Sequence, residues 1–121
     1  MTFMKLKSLV HEFGLSVKAG LSHLDREVTG GYVSDLLSDV LAHADEGNLW
    51  ITLHVHQNIV AVASHKDLAG IVLVQGRQPE KDAIAKAEEE NIPILVTDLS
   101  AFELVGRLYK AGIGGAPAHQ G

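Results

Sequence analysis

His54 and His56 stand one residue apart in a chain of 121 residues that has no cysteine. Alternate side chains of an extended segment share a face, so this pair has the spacing to share a metal ion, with a third ligand drawn from Asp35, His65 or Asp98. The competing account is a histidine that hydrogen-bonds backbone beside a helix start. Without cysteine, thiolate zinc sites, thiol nucleophiles and disulfides are excluded. No Gly-x-x-x-x-Gly-Lys-Ser/Thr loop occurs, so phosphoryl transfer from ATP lacks its cradle. No Gly-x-Ser-x-Gly elbow occurs either, and hydrolase readings have no positive support. The residues therefore assign no catalytic group, no cofactor and no metal.

Two further clusters suit binding better than catalysis. Thr52, His56, Gln57 and Asn58 place polar groups between an apolar strand and an apolar helix, where capping of that helix by Gln57 or Asn58 explains part of the pattern and a pocket explains the rest. The segment Asp25-Arg26-Glu27-Val28-Thr29-Gly30-Gly31-Tyr32-Val33-Ser34-Asp35 joins a short β-type stretch to a helix through two adjacent glycines. Such a junction admits close approach of a ligand or a neighbouring chain, with Ser34 and Asp35 placed to cap the helix and free N–H groups at its start. A tight strand-to-helix turn accounts for the same glycines. Asp35 and Asp39 disfavour a bare phosphate here, so a neutral polar molecule or a metal-chelated nucleotide suits the charges better.

The elements that position these clusters follow from periodicity. Leu6, Leu9, Val10 and Phe13 recur at helical spacing before Gly14, and Leu15–Ala19 alternates as a strand does. A second β-type segment covers Val28–Val33. Leu36, Leu37, Val40, Leu41 and Ala44 form a helical stripe over 34–44, and Asn48–Leu53 is the next strand. The helix from Asn58 is apolar nearly all round at Ile59–Ala63, which places it in the core or against a second subunit. Gly70–Val74 lacks polar alternation and reads as a strand covered on both faces. Pro79 opens a helix with Glu80 and Asp82 in its first turn, and Asp82–Lys86 and Lys86–Glu90 at four-residue spacing on its outer face. Pro93–Thr97 is a last strand before a helix carrying Ala101, Leu104, Val105 and Leu108 on one side and Phe102 and Tyr109 off that stripe.

Strands alternating with helices predict an α/β fold, a single three-layer domain with a mostly parallel sheet of four to five strands covered by helices on both faces. Ligands in such sheets bind beyond the carboxyl ends of the strands. That rule gathers residues 30–35, 52–58, Gly76-Arg77 and Thr97-Asp98 into one rim. The expected ligand-binding residues are Thr29, Gly30, Gly31, Ser34, Asp35, Thr52, His56, Gln57 and Asn58.

A net charge of −5 with ten scattered Lys and Arg argues against a nucleic-acid partner. No apolar run reaches membrane-spanning length, and Met1–Lys7 lacks the core and cleavage site of a signal peptide, so a cytoplasmic protein is expected. Residues 1–112 are expected to form the domain and 113–121 a disordered tail.

Asp25, Arg26, Thr29, Gly30 and Gly31, together with the block from Thr52 through His56-Gln57-Asn58 to Ala63, resemble the DRTGG domain family. Gly76-Arg77 before Pro79 and Ile92-Pro93-Ile94 before the Phe102 helix agree with it, and the resemblance covers residues 4–112. In this sequence Glu27-Val28 separates Arg26 from Thr29, so the letters of the family name are not contiguous. The family is similar to the N-terminal domain of HPr kinase/phosphorylase and to modules in phosphotransacetylases and beside regulatory CBS domains. The resemblance implies a regulatory or oligomer-forming module whose chemistry belongs to other domains. The expectation is a non-enzymatic, homodimeric module with a small-molecule or nucleotide ligand. The alternatives are an assembly protein docking on a larger enzyme complex, and a small metal-dependent enzyme using His54 and His56.

Overall fold

Period-two burial along three neighbouring strands divides the apolar residues between two cores. Trp50, Ile71, Leu73, Ile94 and Val96 face one side of the sheet, while Leu49, Ile51, Val72 and Leu95 face the other. Successive strand side chains point to opposite faces, so a strand covered on both must be apolar at every position. In a computed structural model describing residues 3–115, the strands β4 (Gly30–Val33), β5 (Asn48–Thr52), β6 (Gly70–Leu73) and β7 (Ile94–Val96) run parallel, and β2 (Ser16–Ala19) closes one edge antiparallel to β7. The order is β2-β7-β6-β5-β4. The expected three-layer α/β sheet is what forms.

Helices α2 (Leu37–His43), α3 (Asn58–His65) and α4 (Lys81–Glu90) cover the Trp50 face. Helices α1 (Leu6–Phe13) and α5 (Ala101–Lys110) cover the other. Each fully buried Leu, Ile or Val contributes about 1.5–3 kcal/mol of burial free energy. The apolar girth of α3 is explained within the domain: Ile59, Val60, Val62 and Ala63 are buried between the sheet, α2 and α4, and Ala61 alone of that run is exposed. This helix therefore presents no apolar face to a second subunit.

The structure corrects the sequence reading at several junctions. Gly30 and Gly31 do not join a strand to a helix; they lie inside β4, paired with Asn48 and Leu49. Helix α2 starts at Leu37 rather than Ser34, without a side-chain cap. The Ser34 hydroxyl accepts from the Leu36 N–H, and Asp35 is engaged across the sheet end instead. Helix α4 starts at Lys81, two residues after Pro79, because the Glu80 N–H is held by the Val55 carbonyl in the β5–α3 loop. A two-stranded ribbon of β1 (Met4–Lys5) and β3 (Glu27–Val28) was not legible from so few residues. Beyond Gly112, Ile113 is buried and the Gly114 carbonyl accepts from the Gly31 N–H on the outer edge of β4. The packed chain thus continues past Gly112; residues 116–121 of the expected tail lie outside the described residues.

Candidate functional site at the carboxyl end of the sheet

The Asp35 carboxylate ties the loops after β4 and β5 together. Its Oδ1 accepts from the Thr52 hydroxyl at 2.7 Å and from the Leu53 N–H at 2.8 Å. Thr52 is itself buried, and its oxygen also accepts from the His54 N–H at 3.2 Å. The His54 ring closes the knot by donating from Nε2 to the Asp35 carbonyl. Below it, Trp50 Nε1 donates to the Ser34 carbonyl at 2.8 Å, so a fully buried indole fixes the strand end from which Asp35 projects. Partial burial pushes the Asp35 carboxyl up, but the bonds from Leu53 and Thr52, with the nearby His54 and Arg77, outweigh it and hold the group below the usual carboxylate value. Asp35 is an anion at neutral pH.

Around this knot Asp35, Leu53, His54, Val55, His56 and Arg77 line an open depression of about 290 Å³. His56 Nδ1 accepts from the Asn58 N–H at 3.1 Å and so caps the start of α3. That bond leaves the ring proton on Nε2 as a donor. Gln57 and Asn58 stand exposed at the start of α3, and neither side chain caps it. The two histidines therefore engage backbone in different loops rather than converge. Among the described residues no group of three or more His, Asp or Glu side chains could hold a metal ion.

The expected ligand-binding residues divide between two ends of the sheet. Ser34, Asp35, Thr52, His56, Gln57 and Asn58 come together at the carboxyl end. Thr29, Gly30 and Gly31 sit at the amino end, with Gly30 about 13 Å from Ser34 by the rise of a strand. The cause is that the glycine pair opens β4 instead of closing it, so the loop that reaches the rim begins only after Val33.

At that amino end the motif residues act as a clasp. Arg26 donates to the Leu68 carbonyl at 3.0 Å and the Asn91 carbonyl at 2.7 Å, joining the segments that enter β6 and β7. Thr29 Oγ1 donates to the Glu46 carbonyl at 2.8 Å and accepts from Asn48 Nδ2 at 3.3 Å. Asp25 pairs with Lys7 at 2.8 Å on the surface, and that bond with the lysine charge lowers its pKa. Gly30 has no room for a side chain, because a Cβ there would lie 2.9 Å from the Gly114 carbonyl oxygen. A larger open depression of about 540 Å³ flanks this clasp, lined by Arg26, Thr29, Glu46, Asp67 and Glu90 among others. Its one arginine is already spent on carbonyls.

Sequence reasoning placed Gly76-Arg77 on the rim but did not number Arg77 among the binding residues. Its signal was present: a glycine and an arginine directly after an apolar strand.

Comparison with known proteins agrees with this architecture. No curated protein matches the chain. A crystal structure of the CBS and DRTGG domains of the regulatory region of Clostridium perfringens pyrophosphatase, complexed with the activator diadenosine tetraphosphate, superposes with a TM-score of 0.67 at 17% identity. The match covers 86% of this chain and 45% of that one, so the chain spans under half of the similar structure. At that identity the likeness is one of fold. The model of the DRTGG domain matches residues 17–111, and the chain belongs to the DRTGG domain family.

Proposed function

We propose that this chain is a non-enzymatic regulatory module that binds a small polar molecule at the carboxyl-end rim and acts in the cytoplasm. The observation that carries the reading is the Asp35 knot: one carboxylate organises two loops around a depression where parallel sheets bind their ligands. Family membership supports it, as does the pyrophosphatase region of similar fold, which was captured with a nucleotide activator. Among the described residues no nucleophile, base and oxyanion-type arrangement is built around the knot; its hydrogen bonds tie loop backbone and the Thr52 hydroxyl together. Thermal-shift screening of nucleotides and phosphorylated and unphosphorylated metabolites tests the reading. A hit should raise the melting temperature of the wild type and not of Thr52→Ala or Asp35→Asn. If no compound shifts the wild type, the ligand reading falls.

A second observation favours self-association or docking on a larger enzyme complex. Phe102 and Tyr109 on α5 are 89% and 71% exposed, and Val33 on the β4 edge, half exposed, lines one shallow groove with Tyr109. Aromatic side chains dominate interface energetics, and a symmetric pair of copies is the simplest occupant of such a face. Light scattering should give twice the chain mass, falling to one chain for Phe102→Ala/Tyr109→Ala. A monomer at all concentrations removes the pairing.

A further inference from the structure

Arg77 is the one arginine of three whose guanidinium has no hydrogen bond or ion pair among the described residues. Arg26 holds two carbonyls, and Arg107 reaches Glu103 at 3.8 Å. The backbone that presents Arg77 is unusual. Gln75 and Gly76 are consecutive left-handed residues, with φ of 58° and 67°. Gln75 is exposed, so packing of its side chain does not account for a conformation that costs a non-glycine residue roughly 1 kcal/mol or more. Three backbone bonds hold the turn: Gln75 N–H to the Leu99 carbonyl, Gly76 N–H to Thr97 and Arg77 N–H to Val74. The result is a hydrogen-bonded turn that sets a cation on the wall of the depression, which the Asp35 carboxylate also lines.

We propose that the ligand of this rim is a phosphate ester bearing free hydroxyls, of the ribonucleotide type, with Arg77 and the His56 Nε2–H taking the phosphoryl group and Asp35 Oδ2 accepting from a hydroxyl. The proposal rests on the ligand-binding reading above and names its chemistry. Asp35 Oδ1 is spent on Thr52 and Leu53, whereas Oδ2 has no hydrogen bond among the described residues. An arginine fork matches phosphate oxygens in a bidentate way, and charge-assisted bonds of this kind are the strong ones. Inorganic phosphate alone meets the Asp35 charge without the compensating hydroxyl and binds weakly. At about 290 Å³ the depression is at the small end of ligand pockets, sized for a sugar phosphate rather than a whole dinucleotide.

Calorimetric titration of the full chain with ribose 5-phosphate, AMP, adenosine and inorganic phosphate tests this, alongside Arg77→Gln and Asp35→Asn. The expected result is binding of AMP and ribose 5-phosphate, weakened tenfold or more by Arg77→Gln, with inorganic phosphate weaker than either. Amide shifts in the NMR spectrum should concentrate at residues 34–36, 52–58 and 75–77. Adenosine binding as tightly as AMP, with Arg77→Gln indistinguishable from wild type, overturns the phosphoryl role while leaving a ligand at the Asp35 rim. Failure of AMP and ribose 5-phosphate to bind at millimolar concentration overturns the proposal. Shifts confined to the Arg26–Thr29 end place the ligand elsewhere and overturn both.

Discussion

The two ends of the sheet use the same polar chemistry for different ends. At the amino end Arg26 is engaged within the protein: its two bonds, one from each terminal nitrogen, go to main-chain carbonyls of segments more than forty residues away, and Thr29 is bonded as donor and acceptor. At the carboxyl end Arg77 is held by its backbone while its guanidinium is left over. A polar group whose bonds are all made within the protein contributes to stability; one positioned but unspent is available to a ligand. The Asp25-to-Gly31 part of the family motif therefore sits at the end that holds the fold together, whereas its Thr52-to-Asn58 and Gly76-Arg77 parts reach the depression with free polar groups.

The sharpest way to break this comparison is Arg26→Ala. It leaves two carbonyls without their charged donor, costs about 2 kcal/mol and lowers the melting temperature by roughly 5–10 °C. Ligand affinity at the Asp35 rim should not change. A large affinity loss without loss of stability would reverse the assignment of the two ends. Gly30→Ala comes next, at about 1–2 kcal/mol, because the added methyl must displace the Gly114 carbonyl, which is backbone rather than a flexible side chain. Denaturant unfolding measures it, and an unchanged midpoint would show that the segment after α5 moves aside at no cost.

Asp35→Asn should cost about 1 kcal/mol and abolish ligand-induced stabilisation. Its pH dependence sharpens the point. The Asp35 carboxyl is held below its usual value in the folded chain, so its contribution is present above the unfolded carboxylate pKa of about 4 and is lost as pH falls through the lowered folded value. Melting temperatures of wild type and Asp35→Asn should differ by a constant amount from pH 5 to 8, and the gap should begin to narrow as pH falls below about 4. A gap that does not narrow at all as pH falls from 5 to the lowest pH at which the chain stays folded would assign the effect to packing. The smallest effect belongs to Lys7→Ala. Its partner Asp25 is fully solvated, and melting should stay within error of wild type although Asp25 belongs to the motif.

Much of this was legible in residue order. The cap at Gly14, the continuous apolar strands and the stripe of α5 each depend on neighbours a few residues apart, and each forms as read. Junctions were less legible. Gly30-Gly31 reads as a turn because glycine has no side chain to report its surroundings. Only the segment after α5, arriving at Gly114, shows that the small residues serve close packing on a strand edge. The all-apolar helix α3 left two accounts open, and the positions of α2 and α4 decided between them.

By itself the sequence determined the layered α/β architecture, the absence of thiol chemistry and the set of polar residues from which a site must be drawn, since these follow from composition and short-range periodicity. Tertiary structure alone decided which of those residues share an end of the sheet. Whether a strand carries a residue at its entrance or its exit depends on register with strands distant in the chain, and a shift of four residues along β4 separates the Arg26–Thr29 clasp from the Asp35 rim.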